Sequence, residues 1–349
     1  MLIVAYILLV SVMLPLTVFQ PVKKLGFSSF ALMATVMVMG SWRLEGVDRD
    51  VYLLGFENWD CVAEASYHYI SDFVDRYFGD VRFVFLFYAV VAITIKLLCI
   101  VRFLPQMIVF GSILVYLSHF YVLHEMVQIR CGLASAFFLA AVCLRMKKTG
   151  SLWSRFVIPA VFIAVASVFH HSAVLGFIAL VVPTTRFSCL KWGFGLGLAM
   201  VFCLFGLSMS SLLGLCPFAF VQQGVNKYLS SMEQGQNLVF NPFGVTMMVR
   251  YVFYVGMLIV VRGDDYVYRP ITYLMKLYGV GLLIALMFAD MPAMAVRSSQ
   301  FLFAVEIFLI PMLAYRQCRE RAWMPIVVFS VVNAALNVFL IDLFQTGVE

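Results

Sequence analysis

Residues 82–101 read RFVFLFYAVVAITIKLLCIV. Apart from Arg82 at the edge and Lys96 within, the stretch carries no charge. About 20 apolar residues rising 1.5 Å each are what a helix needs to cross a ~30 Å hydrocarbon core. A surface helix of a soluble protein would keep a polar face, and this stretch has none. Comparable runs recur near 2–20, 26–42, 105–123, 127–144, 192–213, 246–261, 271–289, 299–315 and 322–341. The run at 157–183 is too long for one comfortable span and too short for two, with His170 and His171 at its middle. Backbone that leaves the helix at membrane depth must be buried in protein, so this run predicts a broken or re-entrant helical hairpin. The expected fold class is all-α, a polytopic integral membrane helical bundle with about ten full spans plus that hairpin. One transmembrane domain over 1–349 is expected, interrupted by outward loops near 43–81 and 214–245.

Composition agrees. The 349 residues are 64% hydrophobic and 12% charged, about half the usual charged share of a soluble domain, and mean hydropathy is +0.99. That balance excludes a soluble enzyme, a disordered chain and a nucleic-acid-binding module. The first apolar run has no basic leader and no A-x-A site, and a second run follows at once, so it reads as a span and not as a cleaved signal. No two of the eight cysteines are spaced as CxxC, so zinc and dithiol chemistry have no support. Cys61 and Cys216 both fall in predicted outward loops, which leaves a disulfide between them open. There is no P-loop, no GxSxG and no dinucleotide-binding glycine pattern. No cofactor and no metal is expected, and the energy for any reaction must reside in the substrate.

Lysine and arginine orient the chain. Lys23, Lys24, Arg102, Arg145, Lys147, Lys148, Arg155, Arg186, Lys191, Arg262, Arg269, Arg316, Arg319 and Arg321 fall on one face if the spans alternate as read. The other face holds Arg43, Arg49, Arg76, Arg82 and Lys227. The first face is therefore expected to be cytoplasmic, with both termini outward. The outward loop 43–81 is acidic, and Tyr69, Phe73 and Tyr77 form one stripe of an amphipathic helix suited to the interface. The loop 214–245 is rich in amides, with Gln222, Gln223, Asn226, Gln234, Gln236 and Asn237, side chains suited to sugar hydroxyls or simply to water.

Ionisable residues within apolar spans are costly, so each is a functional candidate. Arg130, Arg250 and Arg297 are all expected near the outer interface. Three guanidinium forks at similar depth suit one anionic group, a lipid-linked diphosphate above all; singly, each suits a headgroup. His170 and His171 cannot face the same way on a helix, and either is a candidate general base. Neither has metal-ligand spacing. Lys96 and Lys276 are expected to snorkel to the inner surface, and Glu306, deeper, is a candidate partner for an arginine. Asp48, just beyond a span, is a candidate base for a sugar hydroxyl.

Four stretches carry a family resemblance. Arg43-Leu44-Glu45-Gly46-Val47-Asp48, followed by Tyr52 and Phe56, is similar to an R-x-x-x-x-D-x-x-x-Y-x-x-x-F stretch after the second span. Gln128-Ile129-Arg130 with Gly132-Leu133-Ala134 is similar to a Q-x-[IR]-R-x-x-L-A segment, with Cys131 where Gln is frequent. Phe169-His170-His171-Ser172-Ala173 is similar to F-H-x-S-A, and Arg297 leading to Phe301 to a late R-x-x-x-[YF] element. In this order and spacing they resemble the EpsG-like branch of Wzy-type polysaccharide polymerases. The resemblance implies a membrane glycosyltransferase of the bacterial inner membrane, with its active site facing the periplasm. Its substrates would be undecaprenyl-diphosphate-linked oligosaccharide repeat units, joined with inversion and without metal. Taken with the reading of the ionisable residues, it makes Asp48 or His170 the catalytic residue that orients or deprotonates the acceptor hydroxyl, puts Arg130, Arg250 and Arg297 on the diphosphate, and leaves Arg43, Tyr52, Gln128 and Ser172 as sugar-binding or supporting. A chain-length regulator is the implied protein partner and membrane lipid the surroundings; no nucleic acid is involved. An O-antigen-ligase-like transferase and a flippase or exporter of lipid-linked sugars are the alternatives.

Overall fold

The computed structural model describes residues 49–58, 64–147, 151–184, 187–207, 240–261 and 269–339, with parts of 10–18 and residue 209. Most of the predicted spans near 2–20 and 26–42 lies outside the described residues. So do Arg43, Asp48, Cys61, Cys216 and most of the loop 214–245. Among the described residues the chain is helical without strands, the architecture of a polytopic helical membrane protein. The elements are α1 (Arg49–Glu57), α2 (Ala65–Phe78), α3 (Arg82–Phe103), α4 (Gln106–Val127), α5 (Ile129–Met146), α6 (Trp153–Phe169), α7 (His171–Val181), α8 (Cys189–Leu204), α9 (Val245–Val260), α10 (Arg269–Met287), α11 (Pro292–Phe303), α12 (Glu306–Cys318) and α13 (Trp323–Phe339). Of these α3, α4, α5 and α10 are long and apolar enough to cross a bilayer alone, and α6, α7, α8, α9 and α13 are shorter apolar helices. The span expected at 299–315 is two helices: Ala304 and Val305 form a turn, and Glu306 opens α12, where a carboxylate suits the positive helix end.

The chain clusters into two compact units, Met1–Val181 with Ala304–Glu349, and Val182–Phe303. In the first unit, α2 is reversed onto α3 by Gly79, whose φ of 65° places it in the left-handed region that ends many helices. Its N–H bonds back to the Val74 and Asp75 carbonyls, and the Asp80 carboxylate then accepts the Arg82 N–H at 2.9 Å. Tyr67, Ser71 and Val74 face inward from α2, while Tyr69, Phe73 and Tyr77 are exposed, the stripe read from sequence. Tyr52, Tyr67, Phe85, Tyr88, Ile129 and Leu133 form a buried cluster joining α1, α2, α3 and α5. Tyr52 lies 5.5 Å from both the Tyr67 and Phe85 rings.

Residues Tyr116–Val127 of α4 are π-helical, the wider winding that recurs at functional sites. Gln128, at φ −104° and ψ 61°, ends it before α5 begins. The crossing is tight because Gly132 has no Cβ: one there would sit 2.3 Å from the His124 carbonyl oxygen. Gly111 lets Ile326 of α13 approach α4, and Ser112 donates to the Ile307 carbonyl of α12 at 2.6 Å. Small residues at such contacts are how membrane helices pack closely.

In the second unit, Gly279 and Gly281 of α10 pack against Tyr254 and Trp192 and against Phe303. Lys276 does not snorkel; it is 2% exposed and donates to the Pro183 carbonyl at 2.8 Å.

Candidate active site

The helix of the predicted hairpin ends at Phe169, and His170 is extended, with φ −154° and ψ 121°. A 3-10 turn, His171–Phe177, starts immediately after it. The break thus falls at the histidine pair and points the two rings apart: His170 is buried and His171 exposed. His170 Nδ1 lies 3.0 Å from Glu64 Oε1. A carboxylate only accepts, so this contact places the proton on Nδ1 and the basic lone pair of the neutral ring on Nε2.

The other oxygen of Glu64 accepts from Arg130 Nη1. Arg130 stands in the first turn of α5, just after the break at Gln128, and its guanidinium lies 5.2 Å from the Tyr52 ring centroid. Tyr52 is fixed in turn by the Tyr67 hydroxyl, which donates to the Tyr52 carbonyl at 2.6 Å. Burial pushes the Tyr67 phenol far above its usual range, which keeps it a donor. Ser66 donates to the Val168 carbonyl at 2.7 Å, tying α2 to the end of α6 beside His170. Phe169 stacks on Phe137 of α5 at 5.8 Å and meets the Tyr88 ring edge-on at 6.0 Å. The aromatic cluster thus holds three chain segments that deliver one carboxylate, one guanidinium and one imidazole to a single buried point.

Arg130 and Gln128 each bring an unsatisfied polar atom to this site. Among the described residues, Arg130 Nε and Gln128 Oε1 are buried with no hydrogen-bond partner. Orphaned buried groups are rare and call for an explanation. A donor on the guanidinium and an acceptor on the amide, two residues apart, match a phosphate oxygen and a hydroxyl.

Of the predicted site residues, Arg130, His170, Tyr52 and Gln128 fall in this neighbourhood of the first unit. Ser172 is half-buried on the 3-10 turn and makes no hydrogen bond to Glu64, Arg130 or His170. Arg250 and Arg297 belong to the second unit. Arg250 is 8% exposed, its guanidinium 4.2 Å from the Phe303 ring centroid, whereas Arg297 is exposed on α11. Glu64 is the member that sequence reasoning missed. Its signal was the spacing Glu64, Tyr67, Ser71, Val74, which sets it on the stripe opposite Tyr69, Phe73 and Tyr77.

Deeper in the first unit, Lys96 does not snorkel either. It is fully buried, with Nζ 2.5 Å from Glu125 Oε1 and 3.5 Å from His124 Nδ1. His124 Nδ1 is also 3.1 Å from the Ser135 hydroxyl. Glu306 meets His119 at 2.7 Å, a histidine where an arginine was expected. Among the described residues no three His, Cys, Asp or Glu side chains are grouped to hold a metal.

Compared with known proteins, the chain matches the sequence profile of the EpsG family over residues 4–347. No curated protein and no solved structure matches it.

Proposed function

Because the chain belongs to the EpsG family, which is associated with polysaccharide biosynthesis, we propose that it is a Wzy-type polymerase of lipid-linked repeat units. Its substrates are undecaprenyl-diphosphate-linked oligosaccharides, and it works at the periplasmic face of the inner membrane. The observation that carries this reading is Glu64 holding Arg130 and His170 together in one buried site.

The chemistry follows from the three groups. The acceptor hydroxyl of an incoming repeat unit attacks the anomeric carbon of the growing chain from the face opposite its phosphate. The carbon–oxygen bond to the diphosphate breaks, and the leaving group departs with the electron pair as undecaprenyl diphosphate. The acceptor proton passes to His170, whose orientation Glu64 fixes. Arg130 stabilises charge that grows on the leaving phosphate, where preorganised donors act most strongly. Its unpaired Nε supplies a donor for a phosphate oxygen and the unpaired Gln128 Oε1 an acceptor for a sugar hydroxyl. On the sequence argument, Arg250 and Arg297 are further candidates for holding a phosphate, and Asp48 for holding the acceptor.

A cell lacking the chain tests the reaction class. The expected result is surface glycan limited to single repeat units, restored to long chains by the wild type and not by Glu64→Gln. Loss of all surface units would instead indicate a flippase.

A further inference from the structure

Arg145 stands in the last turn of α5 and is 7% exposed, although a basic residue at a helix end ordinarily reaches water. Its guanidinium bonds to both ends of the hairpin. Nε donates to the Ala179 carbonyl at 3.4 Å and Nη2 to the Leu180 carbonyl at 3.3 Å, both in the last turn of α7. Nη1 donates to the Arg155 carbonyl at 3.3 Å, in the opening turn of α6. The guanidinium carbon also lies 4.2 Å from the centroid of the Phe156 ring. The last carbonyls of a helix have no partner within it. A planar fork with donors on all three nitrogens serves two chain segments at once.

We propose that Arg145 is a positioning residue for His170. By fastening the start of α6 to the end of α7, it fixes how far along α5 the hairpin carries its break. The inference rests on the polymerase reading for the work His170 does, and adds the residue that sets its reach. Helix α5 is the ruler. Arg130, in its first turn, shares Glu64 with His170 at the break. Arg145, fifteen positions on and about 22 Å of helix rise away, holds both hairpin ends. The hairpin therefore returns to the side it left. Its return leg needs that anchor: His171–Phe177 is 3-10 wound, with poorer hydrogen-bond geometry than an α-helix, so it yields along its length unless its end is held. The Ser66–Val168 bond and the Phe169 stack grip the tip while Arg145 grips the ends. Displacing a catalytic group by about 1 Å costs on the order of 10² in rate, even when the cause lies far from the chemistry.

The test uses purified full-length protein in nanodiscs. Arg145→Gln removes the fork, and Arg145→Lys, the milder variant, keeps the charge without the fork. Labelling with diethyl pyrocarbonate, mapped by mass spectrometry, reads each histidine separately. In the wild type the exposed His171 is expected to label, and the buried His170 and His124 to be protected. In both variants His170 is expected to label at a rate approaching that of His171, while His124, fully buried in the same unit, stays protected. Chain extension is expected to show kcat lowered about ten- to hundredfold, with KM for the lipid-linked donor within about twofold of wild type. Unchanged protection of His170 in both variants, release of His170 and His124 together, or kcat left at the wild-type value overturns the proposal. So does labelling of Leu152→Cys and Val181→Cys, each in the otherwise wild-type chain, by an impermeant maleimide from opposite faces of the membrane, since ends held by one residue share a face. A folded wild type that extends no substrate overturns the polymerase reading alone, because histidine protection and cysteine labelling are read without turnover.

Discussion

Glu64 is a single carboxylate with two partners, and both depend on its charge. Arg130 loses the acceptor for Nη1 if that charge is removed, and His170 loses the group that fixes its tautomer. Glu64→Gln is therefore expected to lower chain extension by about 10² or more, the scale of losing one positioned catalytic partner, and Glu64→Asp to recover part of it. Measuring extension at matched membrane levels of each variant checks this. Lys96 and Glu125 obey a different rule. Both are fully buried, so Lys96→Met alone strands a carboxylate and is expected to cost about 3–5 kcal/mol. Lys96→Met combined with Glu125→Leu removes both charges and is expected to regain most of that loss in a detergent unfolding series. Arg130 and His170 were legible in the sequence because a guanidinium and a histidine stand out in apolar runs. Glu64 was hidden among the nine acids of its loop, and only its helical spacing to Tyr67 and Ser71 marks it as inward. Lys96 was misread for a related reason: its spacing from Tyr88 and Ala92 sets it on the buried face of α3, where a snorkelling side chain has no route to water.

At the scale of elements, glycine decides how closely helices cross. Gly132 faces backbone, the His124 carbonyl, which cannot move without shifting the π-helical segment of α4. Gly132→Ala is expected to destabilise the protein by about 1–3 kcal/mol and to displace Arg130, two residues earlier in the same turn, so that extension falls as well. Gly111 faces the end of the flexible Ile326 side chain, and Gly111→Ala is expected to leave extension within a few fold of wild type. Parallel thermal unfolding and extension assays on the two variants separate these outcomes. Long helices such as α3 and α10 were legible because hydropathy over twenty residues has few alternative explanations. The break at His170 was legible as well, since two adjacent histidines interrupt an apolar run of awkward length. The break before Glu306 was not, because Phe303, Ala304 and Val305 are as apolar as their neighbours. It becomes intelligible only through the contact Glu306 makes with His119.

At the scale of the molecule, charge sets orientation while a few residues set chemistry. Fourteen of the 24 Lys and Arg fall on the face expected to be cytoplasmic, which predicts that a reporter fused after Lys148 is active only in the cytoplasm and one fused after Asp60 only outside. Reversed activities would contradict the orientation and, with it, a periplasmic site at Arg130. That asymmetry was legible because it is a sum over many residues, whereas the site depends on contacts such as Glu64 to Arg130, 66 positions apart. The central claim is that Glu64, Arg130 and His170 form a centre that joins lipid-linked repeat units. Its most direct test gives purified protein undecaprenyl-diphosphate-linked repeat units, with no nucleotide or metal added, and follows products by chain length. The account predicts a ladder of longer glycans with release of undecaprenyl diphosphate from the wild type, and little or none from Arg130→Ala or His170→Ala. A ladder made equally well by both variants, or none from the folded wild type, would contradict it.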